Sequence, residues 1–289
     1  MPQQQEETFL IRFEETLTAS AHSPATIVNY LADVRDFWRW GRQEFGDQFG
    51  MSTVTQEHIR LYRYYLAQNL ERAAATVNRR LMALRKFFAF AHERGWIARN
   101  PTDGVSLVQN NRQTGARPLS DEEVERLFQA ASQGSRAGLV RRDTAVIQLL
   151  LRAGLRVSEI VRLQMDDIQF GDPGVWLNVG GQNNGAGGRR VPLPAETYKA
   201  LSDYLQVRPQ TGQPYIFLSQ DGRPLSQRTI QRIVSNCARS AGLNGVSAQS
   251  LRRTFAQNLF RETGSLELVS ERLGHQNCSI TEQYLLNCE

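Results

Sequence analysis

The residues of this chain best suited to chemistry lie in its second half and comprise two arginines, a histidine and a tyrosine. Arg156 occurs in AGLRVSEI, Arg252 in QSLRRTFA and His275 in RLGHQ, and Tyr284 follows that histidine by nine residues. The planar guanidinium group recognises phosphate through two parallel hydrogen bonds, so these arginines could bind a phosphate. Each residue also has an ordinary structural interpretation: a solvated arginine, a histidine at a helix C-terminus, and a tyrosine in a core.

Metal and nucleotide chemistry find no support in the sequence. The four histidines are scattered and form neither an HExxH motif nor a Cys/His ligand spacing. A GxxxxGK[ST] phosphate loop is missing from the sequence, and the glycine-rich stretch 180–188 is better interpreted as a hairpin turn than as a phosphate cradle. We therefore expect no metal ion and no cofactor.

The composition favours nucleic acid only weakly. Lysine and arginine total 34 against 29 acidic residues, and all but two of the 34, Lys86 and Lys199, are arginine. A GC-rich genome explains the arginine excess equally well. The three cysteines form no CxxC pair, the N-terminal MPQQQEETF has no apolar signal core, and no long apolar run occurs. We expect a cytoplasmic, nucleoid-associated protein.

Helical patterns dominate the first 105 residues. Ser23 and Pro24 are an N-cap and a first helical residue, and the helix they begin is predicted to run to Gly41. TQEHIRLYRYYLAQ predicts another helix, and TVNRRLMALRKFFAFAHERG predicts the clearest one, ending at Gly95. We therefore predict a small helical bundle with a basic helical face. The residues on that face that we consider for DNA contact are Asn78, Arg79 and Lys86.

The rest of the chain predicts a linker and a mixed domain. Proline, glycine and polar residues make 106–118 the expected linker, and 119–289 the second domain. A capping box at Ser120 and Glu123 begins the domain's helices, and LRVSEIVRLQMDDIQF is predicted to add a further helical turn or two. VWLNVGG and RRVPLP predict a hairpin, and a capping box at Ser279 and Glu282 places Tyr284 on a short terminal helix. The predicted fold is mainly α with a small β-sheet.

Four separated motifs, in one order, give a specific resemblance. They are LLLRAGLRVSEIVRLQMDDI, RRVPLP, LRRTFAQNLF and ERLGHQNCSITEQY. From about residue 8 to its end the chain resembles the tyrosine recombinase (phage-type integrase) family, especially its compact Xer-like members. SPATIVNYLADVRDFWRW and NRRLMALRKFFAFAHERGWIARNP look like that family's helical, SAM-like core-binding domain.

The resemblance implies a site-specific recombinase or integrase. Tyr284 would attack a DNA phosphodiester, giving a 3′-phosphotyrosyl link and a free 5′-hydroxyl, and no ATP or metal would be needed because the link stores the bond energy. Arg156 and Arg252 would stabilise the charge that develops on the phosphorane. His275 would hydrogen-bond the phosphate, and Glu159 would orient Arg156.

The resemblance also implies double-stranded DNA as partner, held between the two domains, with a homo-oligomer (dimer or tetramer) on the DNA. Asn78, Arg79 and Lys86 would face the major groove. Arg189, Arg190 and Arg253 are the candidate phosphate contacts. For each of them, a solvated arginine is about equally plausible. Because only LLNCE follows Tyr284, we expect no tetramer assembled by exchange of a terminal helix.

Two departures from the family pattern bear on activity. The hairpin has no lysine to act as general acid, and Gln182 aligns where the lysine is expected. In the family's HxLRH motif, Gln249 replaces the first histidine and Arg253 the second. Arg189 or Arg190 would be a poor substitute acid because arginine has a very high pKa. A catalytically impaired relative that only binds DNA, such as a regulator or a mobile-element remnant, is the main alternative. A topoisomerase-like enzyme is the third.

Overall fold

The computed structural model describes residues 2–20, 22–109, 116–133, 136–172, 174–180, 188–275 and 277–286. The chain divides into two compact units, Met1–Gln113 and Thr114–Glu289. The division lies inside the 106–118 segment. The predicted fold class is confirmed, because the described residues form mostly helices and a small antiparallel sheet.

The first unit is helical. Its helices are α1 (Pro2–Ala19), α2 (Pro24–Phe45), α3 (Gln56–Tyr64), which continues into a π-helical turn (Tyr65–Asn69), and α4 (Ala74–Glu93). Ser23 caps α2 as predicted, because its side chain accepts the N–H of Thr26. The core is rich in fully buried aromatic rings, among them Phe37, Phe87 and Phe88.

Helix α2 does not end at Gly41 as predicted but continues to Phe45. Gly41 serves packing instead, since a Cβ atom there would lie 1.9 Å from Cε1 of Phe49. The aromatic ring therefore occupies space that only a glycine leaves open. The helix ends one residue before Gly46, whose φ of 86° is accessible to glycine at low cost.

The first residues of the predicted linker are attached to the helical unit. The Asn78 side chain accepts the N–H of Val108 at 2.8 Å and donates to its carbonyl at 2.9 Å. Arg63 donates to the carbonyl of Ser106 at 2.8 Å. Contacts to the helical unit therefore extend to Val108, past the boundary predicted at residue 105.

The second unit combines eight helices in its described part with three strands. The helices are α5 (Asp121–Ala131), α6 (Ala137–Arg152), α7 (Val157–Arg162), α8 (Ala195–Leu205), α9 (Gln227–Ser240), α10 (Ala248–Thr263), α11 (Leu266–Leu273) and α12 (Cys278–Leu286). The strands are β1 (Ile168–Gly171), β2 (Gly174–Val179) and β3 (Arg189–Pro192), in the order β1-β2-β3 and all antiparallel. The capping box at Ser120 and Glu123 forms as predicted.

Strand β1 is an element that the helical turn or two predicted in LRVSEIVRLQMDDIQF does not include. Only a short 3-10 turn at Met165–Asp167 follows α7, and Ile168 then pairs with Leu177 of β2. The β-branched Ile168 and the aromatic Phe170 suit a strand, and pairing with β2 decides between the two structures. The predicted two-stranded hairpin is thus part of a three-stranded sheet.

Helix α6 lies at the centre of the second core. Val146, Leu149 and Leu150 on it have no exposed surface. Strands β2 and β3 add Leu177 and Val191 to the same cluster. Among the helices of the described ranges, none combines the length and apolarity needed to cross a lipid bilayer.

Replacing glycine by alanine should have opposite effects on stability at two helical positions. Gly41→Ala should destabilise the protein by about 1–3 kcal/mol, because the new methyl group overlaps the Phe49 ring. Gly138→Ala, at an exposed position of α6 with open space around it, should stabilise by up to about 1 kcal/mol through helix propensity. Urea unfolding followed by circular dichroism measures both. A Gly41→Ala protein at least as stable as wild type would contradict the packing interpretation.

Candidate active site

Three arginines from separate elements surround one carboxylate, that of Glu159 in the first turn of α7. Arg156, immediately before α7, donates from Nη1 to Glu159 Oε1 at 2.9 Å. Arg189, on β3, donates from its two Nη atoms to the two carboxylate oxygens at 2.8 and 2.9 Å. Nη1 of Arg252, on α10, lies 3.9 Å from Oε2. Glu159 is therefore shared by three cations, whereas the sequence analysis linked it only to Arg156.

The local fold places Glu159 before any distant contact is made. Arg156 is the N-cap of α7, and Oε2 of Glu159 accepts its backbone N–H at 2.7 Å in a capping box. Burial opposes the charge of this carboxyl group, but the hydrogen bonds and charge of Arg189 outweigh it and lower the pKa of Glu159. The carboxylate is consequently anionic at neutral pH.

The same arginines also bind three consecutive backbone carbonyls at the C-terminal end of α11. The last carbonyls of a helix have no partners within the helix and carry the negative end of its dipole, so cations are favourable there. The donor–acceptor pairs are Arg189 Nε to Arg272, Arg252 Nη2 to Leu273, and Arg156 Nη2 to Gly274. These bonds fix where α11 ends relative to α7, β3 and α10.

Arg252 is the most deeply placed of the three, with 6% of its surface exposed. It also donates from Nη1 to the carbonyl of Gly154. Burial, and then the charge of Arg156, lower the pKa of Arg252 to about 10, which leaves it protonated at neutral pH. Gly154 is required where it lies, because its φ is 62° and a Cβ atom would lie 2.2 Å from Cδ1 of Phe255.

His275 lies directly after the glycine that ends α11. Gly274 has a φ of 62°, and the backbone N–H of His275 donates to Ser270 at 3.0 Å. Nδ1 of the ring is 2.8 Å from the hydroxyl of the fully buried Thr281. Burial, and then the charges of Arg252 and Arg156, lower the pKa of His275 to about 4. The ring is therefore neutral at pH 7.

Tyr284 lies on α12 against the same cluster. Its ring centroid is 5.5 Å from that of His275 in an edge-on arrangement, and the guanidinium carbon of Arg253 lies 5.0 Å from the ring centroid. The phenol group also interacts electrostatically with Arg252. Leu259 packs with Tyr284 against the small apolar cluster under α12. The structure thus brings Arg156, Arg252, His275 and Tyr284 into one cluster.

The terminal helix begins differently from the prediction. Helix α12 starts at Cys278, and the side chain of Asn277 accepts the N–H of Ile280 at 3.1 Å. Ser279 therefore lies within the helix, and the predicted capping box with Glu282 is wrong. Asn277 is itself a good capping residue, and it lies two positions earlier in the chain than Ser279.

The three arginines predicted to contact phosphate occupy three different environments. Arg189 is held by Glu159 and a backbone carbonyl, as described above. Arg190 is exposed and lies over the ring of Trp176, 5.2 Å from its centroid. Arg253 is only 8% exposed and lies under Tyr284. Their contacts with DNA stay predictions.

The two glutamines that replace family residues are Gln249 and Gln182. Gln249 is exposed in the first turn of α10, one turn before Arg252 and Arg253. Gln182 lies outside the described residues. With Arg189 paired to Glu159, the described part of the hairpin offers no free acid close to the site.

The predicted basic face of α4 is partly used inside its own unit. Asn78 holds Val108, as noted above. Arg79 pairs with both oxygens of the buried Asp33, although its own side chain is 43% exposed. Lys86 is exposed. The role of this face in DNA binding stays a prediction, and Lys86 is the residue best placed for it.

Sequence reasoning missed two residues of the site. Thr281 precedes Tyr284 by three residues, so helical spacing places both on one face, and that signal was present. Gly154 follows α6 as an ordinary helix-ending glycine, and nothing in the sequence indicates that its carbonyl binds Arg252. In the part of the chain that the structure describes, no group of three His, Cys, Asp or Glu side chains could hold a metal ion.

The chain is 30% identical over 286 residues to tyrosine recombinase XerC of Staphylococcus haemolyticus, covering 96% of this chain and 90% of that protein. It superposes on XerH recombinase bound to a palindromic difH substrate in a post-cleavage complex with a TM-score of 0.75 and 18% identity, covering 96% of this chain and 90% of that one. The lambda integrase tetramer bound to a Holliday junction gives a TM-score of 0.75 at 20% identity, covering 96% and 76%.

Residues 117–288 match the phage integrase family, and residues 10–95 match the N-terminal SAM-like domain of phage integrases. One match lies in each unit, and the match over 117–288 includes Arg156, Arg252, His275 and Tyr284. The resemblance seen in the motifs is therefore confirmed, and the chain belongs to the phage integrase family of tyrosine recombinases.

Proposed function

We propose that this chain is a site-specific DNA recombinase that cleaves and rejoins strands through a 3′-phosphotyrosyl link at Tyr284. The observation that carries the proposal is the convergence of Arg156 and Arg252 on Glu159, beside His275 and Tyr284. Members of the family cleave and rejoin DNA, and the chain matches the family along both units.

In the proposed step, Tyr284 Oη bonds to phosphorus and the bond from phosphorus to the 5′-oxygen breaks. The phosphorane carries extra negative charge, which guanidinium groups stabilise where it develops. A guanidinium has five N–H donors. Arg252 donates two hydrogen bonds to the carbonyls of Gly154 and Leu273, so its other N–H groups remain for a phosphate oxygen. The partner strand's 5′-hydroxyl then reverses the step.

His275 acts in this proposal as a neutral hydrogen-bond donor. With a pKa of about 4 it carries no charge at pH 7, and its Nδ1 is close to the Thr281 hydroxyl. When that hydroxyl donates to Nδ1, the ring proton is on Nε2, which can donate to the phosphate. The protonation of the leaving 5′-oxygen then falls to water, which predicts a slow enzyme.

We further propose that both units engage one DNA duplex and that the protein acts as a dimer or tetramer. Related structures with the same fold include a lambda integrase tetramer bound to a Holliday junction. Lys86 and Arg190 are the proposed DNA contacts, together with Arg79 where its exposed part reaches a phosphate.

A DNA-binding protein without cleavage activity is the second candidate. The absence of lysine from the hairpin sequence and the exposed Gln249 in place of a histidine favour it. A glutamine can donate a hydrogen bond but cannot shuttle protons, and losing general acid–base help costs about 10²–10⁴-fold in rate.

Tyr284→Phe should abolish covalent attachment to DNA and leave binding unchanged, because only the nucleophilic oxygen is removed. The DNA site is first recovered by selecting bound fragments of the native genome, and a nicked duplex of that site is then incubated with protein. Denaturing gels measure the adduct. Tyr198→Phe, far along the chain beside Phe170, is the matched control and should form adduct like wild type. Adduct formation by Tyr284→Phe would exclude Tyr284 as the nucleophile.

Replacing the bridging 5′-oxygen with sulfur should speed adduct formation by about 10²–10⁴-fold, because a thiolate leaves without protonation. The comparison uses single-turnover rates on the oxygen and sulfur versions of the same duplex. Equal rates would show that no acid is missing. A sulfur substrate that is bound and never cleaved would establish the binding-only alternative.

The His275 ring should stay neutral well below its ordinary pKa of 6.5, and heteronuclear NMR of the imidazole nitrogens measures this. The folded ring has the lower pKa, so the unfolded chain binds more protons between about pH 6.5 and 4, and His275 makes the protein less stable as pH falls through that window. Arg156→Gln removes a nearby positive charge and should raise the pKa of His275. Titration near pH 6.5 in the wild type would contradict this electrostatic description.

A further inference from the structure

Arg253 is the site residue that the proposed reaction leaves without a defined role. It follows Arg252 on α10, and only 8% of its surface is exposed. Its guanidinium carbon lies 5.0 Å from the centroid of the Tyr284 ring. The resemblance to the family's HxLRH motif places a histidine at this position, where this chain has an arginine.

The buried guanidinium lacks conventional partners. Nε and Nη1 of Arg253 are shielded from solvent and have no hydrogen-bond acceptor among the described residues. An ion pair between Arg253 and a described carboxylate is likewise missing, whereas Arg156 and Arg189 both bind Glu159. A buried cation without an acceptor is costly, and the face of the Tyr284 ring is the electron-rich group that compensates for it.

Two cations and one neutral imidazole lie against Tyr284. Helix α10 contributes Arg252 and Arg253, and the turn after α11 contributes His275, whose lowered pKa keeps it uncharged at pH 7. Glu159, the carboxylate of this cluster, is already shared by three arginines. This environment favours an anion on the tyrosine more than a neutral phenol.

We propose that Arg253 is a positioning residue that holds the Tyr284 ring and favours its phenolate, the form that attacks phosphorus. The proposal rests on the proposed function and deepens it. Tyr284 Oη gives its proton to water, forms the bond to phosphorus, and the 5′-oxygen leaves with the electron pair of the broken bond and takes a proton from water.

The replacement of a family histidine by Gln249 makes the contact between Arg253 and Tyr284 relevant to the reaction. Gln249 lies one helical turn before Arg253 on α10 and cannot accept a proton from the tyrosine as a histidine could. A fixed positive charge against the ring lowers the free energy of the phenolate without any base. Arg253 thereby supplies by electrostatics part of what the missing histidine would supply by proton transfer.

The first test follows ionisation of Tyr284 without DNA. Tyrosine labelled with ¹³C at Cζ is titrated between about pH 7.5 and 10.5, and the Tyr284 signal is assigned by its loss in Tyr284→Phe. In Arg253→Met, which keeps the apolar stem, the midpoint of that signal should move up by about one pH unit, a tenfold loss of phenolate. Arg253→Lys keeps the charge and should lie between the two. Arg261→Met removes a charge from the exposed face of the same helix and should leave the midpoint unchanged.

The second test follows the covalent step on the sulfur-substituted duplex at saturating protein. Arg253→Met should lower the rate about tenfold near pH 7.5, and the deficit should shrink as pH rises toward full ionisation of the tyrosine. A purely structural role would lower the rate equally at every pH, and a phosphate-binding role would weaken DNA affinity with no change in the titration. Either result overturns the proposal.

The two tests separate this inference from the proposed function. If wild type forms no adduct but the Tyr284 midpoint moves in Arg253→Met, the recombinase proposal fails and the effect of Arg253 on the tyrosine stands. If adduct forms and the midpoint does not move, Arg253 is not the group that favours the phenolate. Arg253→Lys guards against a folding defect, because it retains both the stem and the charge.

Discussion

Guanidinium groups repel one another, and Glu159 is the anion that allows three of them to lie together. At 4 Å and an effective dielectric constant near 20, two like charges cost about 4 kcal/mol. The carboxylate offsets this repulsion through bidentate bonds to Arg189, a direct bond to Arg156 and a longer contact with Arg252. Its position is set locally by the capping box of α7, so the anion is in place wherever that short helix forms. The cluster of three arginines is therefore built around a negative charge.

The site and the fold share the same hydrogen bonds. The three consecutive carbonyls at the end of α11 are bound by arginines from β3, α10 and the start of α7. A helix C-terminus would otherwise leave these carbonyls to water, and here they orient cations instead. Gly274 then ends the helix with a left-handed residue, which directs His275 back toward the cluster. Thr281 ties that histidine to α12, three residues before Tyr284.

Local patterns predicted what depends on local physics. Helical periodicity and the caps at Ser23 and Ser120 are predicted correctly, since each needs only a few neighbouring residues. The prediction that the helix ends at Gly41 is wrong, because a glycine is needed there to make room for the Phe49 ring. That contact forms only in the tertiary structure. The strand at Ile168 depends on pairing with β2. The site residues came from motif order, whereas the sharing of Glu159 and the carbonyl contacts require the tertiary structure.

The family residues that this chain lacks, in the hairpin and at position 249, are groups that transfer protons. The arginines that it has close to Tyr284 carry fixed charge. Gln249 and the lysine-free hairpin remove groups that move protons, while Arg156, Arg252 and Arg253 keep or add fixed positive charge close to Tyr284. Removing a general acid or base costs about 10²–10⁴-fold, whereas one preorganised donor to a developing oxyanion contributes about 10²–10³-fold. Two retained guanidiniums and a neutral imidazole can thus outweigh the lost acid. Under the proposed function, the retained charge therefore leaves a slowed strand-transfer step rather than none.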